Sequence, residues 1–157
     1  MKEIILKQHI ALVSDEDFEW LNQFEWYWFN GYAVRFEGLR RFAMHREIII
    51  PNPGIVVDHK NQNRLDNRRE NLRECTQSEN SRNTKMRVDN KSGYRGVRSR
   101  RHGNSKRLRW EARISANGSP LHLGYFNNPE DAARAYDIAA KKYHGKFASL
   151  NFKNPPD

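Results

Sequence analysis

The stretch DHKNQNRLDNRRENLRECTQSENSRN, residues 58–83, decides how the chain is read. Just before it, Ile55, Val56 and Val57 form a short apolar run suited to a buried strand. That strand closes on two polar groups, Asp58 and His59. Residues 60–70 are polar and turn-rich, and NLREC, residues 71–75, reads as a second short strand. Thr76 and Glu79 have the spacing of a capping box, which opens a helix over residues 77–86. The expected local order is therefore strand, loop, strand, helix. Neighbouring side chains on a strand point to opposite faces. Asp58 and His59 can act together only at the strand end, where the backbone leaves the sheet.

The residue types suit one kind of chemistry. Hydrolysing a phosphodiester near neutral pH requires a base to activate water, a cation to take up charge on the phosphate, and a frame to hold both. Asp58 offers a hard carboxylate oxygen of the kind magnesium or manganese prefers. His59 can exchange a proton near pH 7. Asn80, twenty-one residues after His59, brings an amide oxygen into the first turn of the capped helix. A lone Asp-His pair is ordinarily a turn, so it is the whole pattern with Asn71, Asn80 and the capping box that carries weight. Arg64, Arg68, Arg69 and Arg73 crowd the loop. Beside such a site their expected role is phosphate contact, against the plainer reading of solvated charge. Cys75 is expected to be a small core residue. As the single cysteine it cannot form an internal disulfide, which points to a reducing, cytoplasmic setting. No Cys-x-x-Cys pair is present, so no structural zinc is expected.

This stretch closely resembles the HNH endonuclease family, in the form common among phage and bacterial homing endonucleases. The resemblance implies a ββα-metal motif gripping one divalent metal, with Mg2+ the expected ion and Mn2+ a substitute. It implies that His59 is the general base, that Asp58 and Asn80 are metal ligands, and that Asn71 braces the loop carrying the histidine. His45, in AMHR, matches an upstream His-Arg of these proteins. Phosphate contact is its expected role, and a packed strand histidine is the alternative. Asn stands where three-histidine members carry their last His, and Asn83 competes with Asn80 for that place.

Upstream, residues 1–50 read as a β-rich scaffold. Ser14 and Asp17 resemble a capping box for a short helix through Phe18, Trp20 and Leu21. In EWYWFNGYAVRF, Asn30–Gly31 lies between aromatic runs and signals a hairpin. Gly38 marks a second turn, and RRFAMHREIII reads as another strand. Pro51–Gly54 is a loop.

Downstream, residues 87–93 read as a linker, after which the pattern changes. YRGVRSR, LRWEARIS and LHLGYF alternate as strands do, with Asn117–Gly118 a tight turn between the last two. Asn128, Pro129 and Asp131 supply the start of a helix that runs to Gly145. An alanine-rich stripe, Ala132, Tyr136, Ala139, Ala140 and Tyr143, lets it lie close to a sheet. Tyr94, Trp110, Tyr125, Phe126 and Phe152 are expected in the core. Charge is unevenly placed. Residues 1–50 hold six Lys and Arg against eight Asp and Glu, residues 51–90 hold eight against six, and residues 91–157 hold fourteen against five. A segment this basic suits phosphate.

Residues 94–152, through YRGVR, WEARI, LGYF, EDAARAYDIAA and GKFASLNF, resemble the DNA-binding domain of the plant Apetala/ethylene-response-factor transcription factors. The resemblance implies a three-stranded antiparallel sheet backed by one helix, with the sheet in the major groove of double-stranded DNA. Arg95, Gly96, Arg98 and Arg100 match contact positions. Arg113 and Ser115 stand where the plant domains carry Glu and Arg, and His122 where they carry Trp, so the target sequence is expected to differ. Arg107 and Arg109 add charge on the second strand.

The expected architecture is thus α+β: a β-rich scaffold over 1–50, a nuclease motif over 51–86, a linker over 87–93, a DNA-reading module over 94–152 and a tail over 153–157. The pairing of motif and module points to a homing-type nuclease of a mobile element acting on double-stranded DNA in a bacterial or phage-infected cell. Two other readings stand beside it, a regulator that uses the nuclease fold as scaffold and an RNA-directed nuclease; no RNA-recognition stacking motif supports the second. No apolar run approaches the roughly 18–20 residues that span a membrane, the N-terminus does not read as a secretory signal, and no protein partner is implied. Target sequence, oligomeric state and nick versus double cut stay open.

Overall fold

A computed structural model describes residues 1–84, 86, 88–101, 108–116 and 118–152. Arg107, Asn117 and the tail lie outside the described residues. The chain is α+β and divides into two compact units, Met1–Ser81 and Arg82–Asp157.

The first unit begins with a hairpin of β1 (Lys2–Leu6) and β2 (His9–Val13), turning at Lys7 with φ 59°. Ile4, Leu6, Ala11 and Val13 alternate inward, while Ile5 and Ile10 face out. Helix α1 (Asp15–Leu21) follows. The expected Ser14/Asp17 capping box is corrected, because Ser14 makes no side-chain cap bond. Both side chains are drawn instead to Arg69. The Ser14 hydroxyl accepts from the Arg69 backbone N–H at 3.0 Å, and the buried Asp17 carboxylate accepts from its guanidinium at 2.7 and 2.8 Å.

Strands β3 (Tyr27–Phe29), β4 (Tyr32–Glu37) and β5 (Arg40–Ala43) form an antiparallel meander. Asn30 and Gly31, both at positive φ, make its first turn. The expected strand through Ile50 stops at Ala43. Met44–Ile48 form a short helix, α2, which turns Met44, His45 and Ile48 inward. His45 is therefore a helical residue. A helical turn lets Met44 and Ile48 join one core with Leu6, Leu21 and Trp26.

Strand β6 (Ile55–His59) pairs antiparallel with β7 (Leu72–Thr76), and α3 (Gln77–Arg82) follows directly. The Thr76/Glu79 box is formed: the Thr76 N–H donates to Glu79 Oε2 at 2.8 Å and the Glu79 N–H to Thr76 Oγ1 at 3.2 Å. The helix ends at Arg82 rather than Met86. It buries none of its residues, so no apolar stripe extends it.

In the second unit β8 (Val97–Arg101), β9 (Leu108–Ala116) and β10 (Ser119–Phe126) form one antiparallel sheet with β9 in the middle. Helix α4 (Pro129–His144) opens with the Asn128 side chain accepting from the Asp131 N–H at 2.8 Å. Its face of Ala132, Ala133, Tyr136, Ala139 and Ala140 lies on Val97, Ala112 and Ile114. Tyr143 and Tyr125, both expected inside, are exposed. The first strand starts at Val97, so Arg95 precedes it. Residues 88–93 fold with this unit: the Asn90 side chain donates to Tyr94 O, and the Ser92 hydroxyl to Val97 O.

Candidate active site and nucleic-acid interface

The loop between β6 and β7 is held from two sides. Asn71 braces it from within, donating from Nδ2 to Asp66 O at 2.7 Å and accepting the Asn61 N–H on Oδ1 at 3.0 Å. Strand β2 holds it from outside: the Leu12 N–H donates to Leu65 O and the Asn67 N–H to Leu12 O, both at 2.8 Å. These bonds bury Asp66 and Asn67 almost completely.

Asn67 meets His59. Its Oδ1 stands 3.1 Å from His59 Nε2, while its Nδ2 faces Leu65 O at 3.4 Å. An amide oxygen only accepts, so Nε2 carries the ring proton and Nδ1 the lone pair. His59 is also packed edge-on against His45, ring centres 5.0 Å apart, with Tyr32 beside both. Burial pushes the His59 pKa down, opposed by its bond to Asn67 and by the charges of Asp58 and Asp66. Burial, followed by the nearby His59, Arg46 and Arg64, pushes His45 down to about 3. Burial thus favours the neutral form of both rings.

Asp58 faces Arg73 directly across the β6–β7 pair and accepts its guanidinium at 2.7 and 2.9 Å. Asn80 follows Glu79 on α3 and is half-buried. Asn83 lies past the helix and accepts from the Ser149 hydroxyl at 3.3 Å. Among the described residues, no three His, Cys, Asp or Glu side chains gather as a metal cage.

The loop arginines differ in their partners. Arg64 lies over the Tyr32 ring at 4.6 Å and donates to Asn30 O. Arg68 is engaged by Asp66 and Glu70. Arg69 is engaged by Asp17 and Glu16. The last two have structural employment that the sequence did not announce.

In the second unit, strand alternation sets Arg98, Arg100, Arg109, Arg113, Ser115 and His122 on the sheet face away from α4. A bulge between His122 and Gly124 keeps Tyr125 on that face, opposite Glu111. Arg95 stands before the sheet, its N–H bound to Asn151 Oδ1. Gly96 has φ 72°, and a side chain there would collide with the Tyr136 ring and the Arg113 carbonyl, so its glycine serves packing. Three site residues escaped the sequence reading: Asn67, Tyr32 and Glu111. Asn67 sits in the same DNRREN run as Asn71, which was the available signal.

The strand–loop–strand–helix frame that carries the adjacent Asp58 and His59 lies within a stretch that matches a class of nucleases. The family model for HNH endonucleases matches residues 49–82. An uncharacterized HNH endonuclease of Acanthamoeba polyphaga mimivirus is 30% identical over 153 residues, covering 92% of this chain and 76% of that protein. The chain belongs to the HNH endonuclease family, a family of nucleases. It is also similar to an AP2-like ethylene-responsive transcription factor of Arabidopsis thaliana, 49% identical over 65 residues. That alignment covers 40% of this chain and 11% of the plant protein. An AP2/ERF and B3 domain-containing transcription repressor of the same plant is 39% identical over 80 residues, covering 51% of this chain and 21% of that protein. This chain thus spans only a small part of the plant proteins. Among the described residues no helix is long and apolar enough to cross a membrane.

Proposed function

We propose that the chain is a site-specific endonuclease of double-stranded DNA, of the homing type, in which the first unit carries a ββα-metal centre and the second reads the target. The observation that carries the reading is His59: buried next to Asp58, with its Nε2 facing the Asn67 side-chain oxygen at 3.1 Å. Nδ1 takes a proton from water as the water oxygen attacks phosphorus. The scissile P–O bond then breaks and its electron pair stays on the leaving oxygen.

Asp58 and Asn80 are the residues that would hold one divalent ion. Their carboxylate and amide oxygens form a hard donor set that fits Mg2+, with Mn2+ as substitute, and two protein ligands are in keeping with an ion that retains waters and binds phosphate. Such an ion, when bound, supplies charge stabilisation at the phosphate and leaving oxygen. Arg73, paired with Asp58 at 2.7 Å, orients that carboxylate. Asn71 maintains the loop. Arg64 is the loop arginine best suited to phosphate, whereas Arg68 and Arg69 serve the loop itself.

The basic sheet face of the second unit, in the stretch whose motifs are similar to the plant domains, supplies affinity and base reading. The similarity to transcription factors favours a second reading, a DNA-binding regulator on an inactive nuclease scaffold. The Asp58, His59 and Asn80 trio argues for the enzyme, since a pure binder requires none of it.

Nicking of supercoiled plasmid decides between them. With Mg2+ the chain is expected to give nicked or linear DNA. EDTA and His59→Ala are each expected to abolish this while binding persists. Binding without cleavage, across several divalent metals and substrates containing the bound target, would transfer the assignment to the regulator.

A further inference from the structure

The outer face of the β8–β9–β10 sheet has an acid at its centre. Glu111 stands directly opposite Arg98 on β8 and Tyr125 on β10. Its remaining neighbours, one step along the strands, include Arg100, Arg113 and His122. All four basic side chains turn toward it. Arg98 Nε is 2.7 Å and Arg100 Nε 3.2 Å from the same oxygen, Oε2. His122 Nδ1 is 3.2 Å and Arg113 Nε 3.6 Å from the other, Oε1. The Glu111 side chain is 6% exposed, against 44%, 53% and 39% for Arg98, Arg100 and Arg113. The acid therefore lies beneath the arginines, which shield it from an approaching phosphate.

This geometry has a chemical consequence. An arginine held at Nε can still present its outer Nη edge, and a two-pronged guanidinium edge is what pairs with O6 and N7 of guanine in the major groove. An arginine held in place has also given up rotamer freedom before binding, so less is lost on contact. Without the carboxylate, the same long side chains would reach for the nearest phosphates, which are alike on every sequence. The neighbouring guanidinium groups, Arg98 above all, hold the Glu111 carboxyl down to about 2, so the clamp stays charged at neutral pH.

We propose that Glu111 is the specificity-setting positioning residue of the DNA-reading face: a shielded carboxylate that aims Arg98 and Arg100 at base edges and keeps them from phosphate. The proposal rests on the reading of the second unit as a duplex-DNA binder.

The test uses the full chain in EDTA. Selection from a pool of randomised duplexes with the wild type yields a preferred sequence. Wild type, Glu111→Gln and Glu111→Ala are then titrated with that duplex and with a scrambled duplex of equal composition, at several salt concentrations. In both variants the ratio of preferred to scrambled affinity is expected to fall by about tenfold or more. Affinity for the scrambled duplex is expected to hold or rise, with a steeper salt dependence. A merely structural role would weaken both duplexes alike. An unchanged ratio in Glu111→Gln overturns the clamp and leaves DNA binding intact. A wild type that binds every duplex alike overturns the clamp and leaves duplex binding intact, whereas duplex binding unaffected by Arg98→Ala and by Arg100→Ala overturns both readings. Should the variants fail to fold, nitrogen relaxation of the arginine Nε–H groups in the unbound wild type decides the matter. Arg98 and Arg100 are expected to be as ordered as the backbone, and freely reorienting groups would overturn the clamp.

Discussion

In the proposed mechanism Asn67 would act through His59, since its side-chain oxygen, 3.1 Å from Nε2, favours the tautomer with the proton on that nitrogen. Asn67→Leu retains the approximate volume and removes the acceptor. If His59 is the base, kcat is expected to fall on the order of 100-fold, within the range a positioned general base contributes, with DNA affinity changed less than about twofold. Nitrogen NMR of the ring should report the Nε2–H tautomer in the wild type and a mixture in the variant; an unchanged tautomer would end this assignment. The same cluster sets a stability profile. His45 has a folded pKa of about 3, below the 6.5 of the free side chain, and His59 is shifted the same way. A depressed histidine pKa means that the unfolded chain takes up the proton first. Stability is therefore expected to be full above pH 6.5 and to fall as pH drops from there toward 3, by a few kcal/mol, roughly the 1.4 kcal/mol per unit that linkage gives. Denaturant melts between pH 7.5 and 5 check this, because carboxylates such as Glu111, held down to about 2, contribute their loss only at lower pH. Replacing His45 by Asn should flatten the slope.

Among elements, the decisive relation is between the N-terminal hairpin and the β6–β7 loop. Strand β2 bonds to Leu65 and Asn67, and α1 holds Arg69 through the buried Asp17. Arg69→Ala leaves that carboxylate unpaired. A loss of about 2 kcal/mol is expected, less than the full cost of breaking a buried pair because Arg69 is half exposed to solvent. If Arg69 instead served phosphate, chemical denaturation would be unchanged and DNA affinity would drop. The sequence disclosed whatever local chemistry controls. The Thr76/Glu79 box, the Asn30–Gly31 turn and the Asn128 cap each specify their own backbone, and each is formed. It did not disclose what long-range contacts control. Ser14 and Asp17 have the right spacing for a cap, but Arg69 takes both, its backbone N–H donating to the Ser14 hydroxyl and its guanidinium to Asp17, 52 residues away. His45 has strand-like neighbours, yet core packing of Met44 and Ile48 makes the segment helical. The candidate site divides along the same line: Asp58, His59 and Asn71 are candidates through the resemblance that the contiguous stretch 58–83 carries. Asn67 and Glu111 acquire their roles only when β2 or two neighbouring strands close around them.

At the scale of the whole molecule, charge separates what the two units can do. The first 50 residues hold more acids than bases, whereas residues 91–157 hold fourteen Lys and Arg against five Asp and Glu. Affinity should therefore come mainly from the second unit and chemistry from the first. Each phosphate neutralised by a cation releases condensed counterions, so the logarithm of the binding constant falls linearly with the logarithm of salt, with a slope of about −0.9 per contact. Arg109 lies on the outer sheet face but is not one of the four side chains turned onto Glu111. It is the residue expected to spend its charge on phosphate rather than on a base. Arg109→Gln should weaken preferred and scrambled duplexes alike and reduce the slope by about one contact. His59→Ala, which removes chemistry and no cation at neutral pH, should leave the slope unchanged. Fluorescence anisotropy over a salt series measures both. A slope altered by His59→Ala and untouched by Arg109→Gln would reverse the division of labour, placing the binding charge in the first unit.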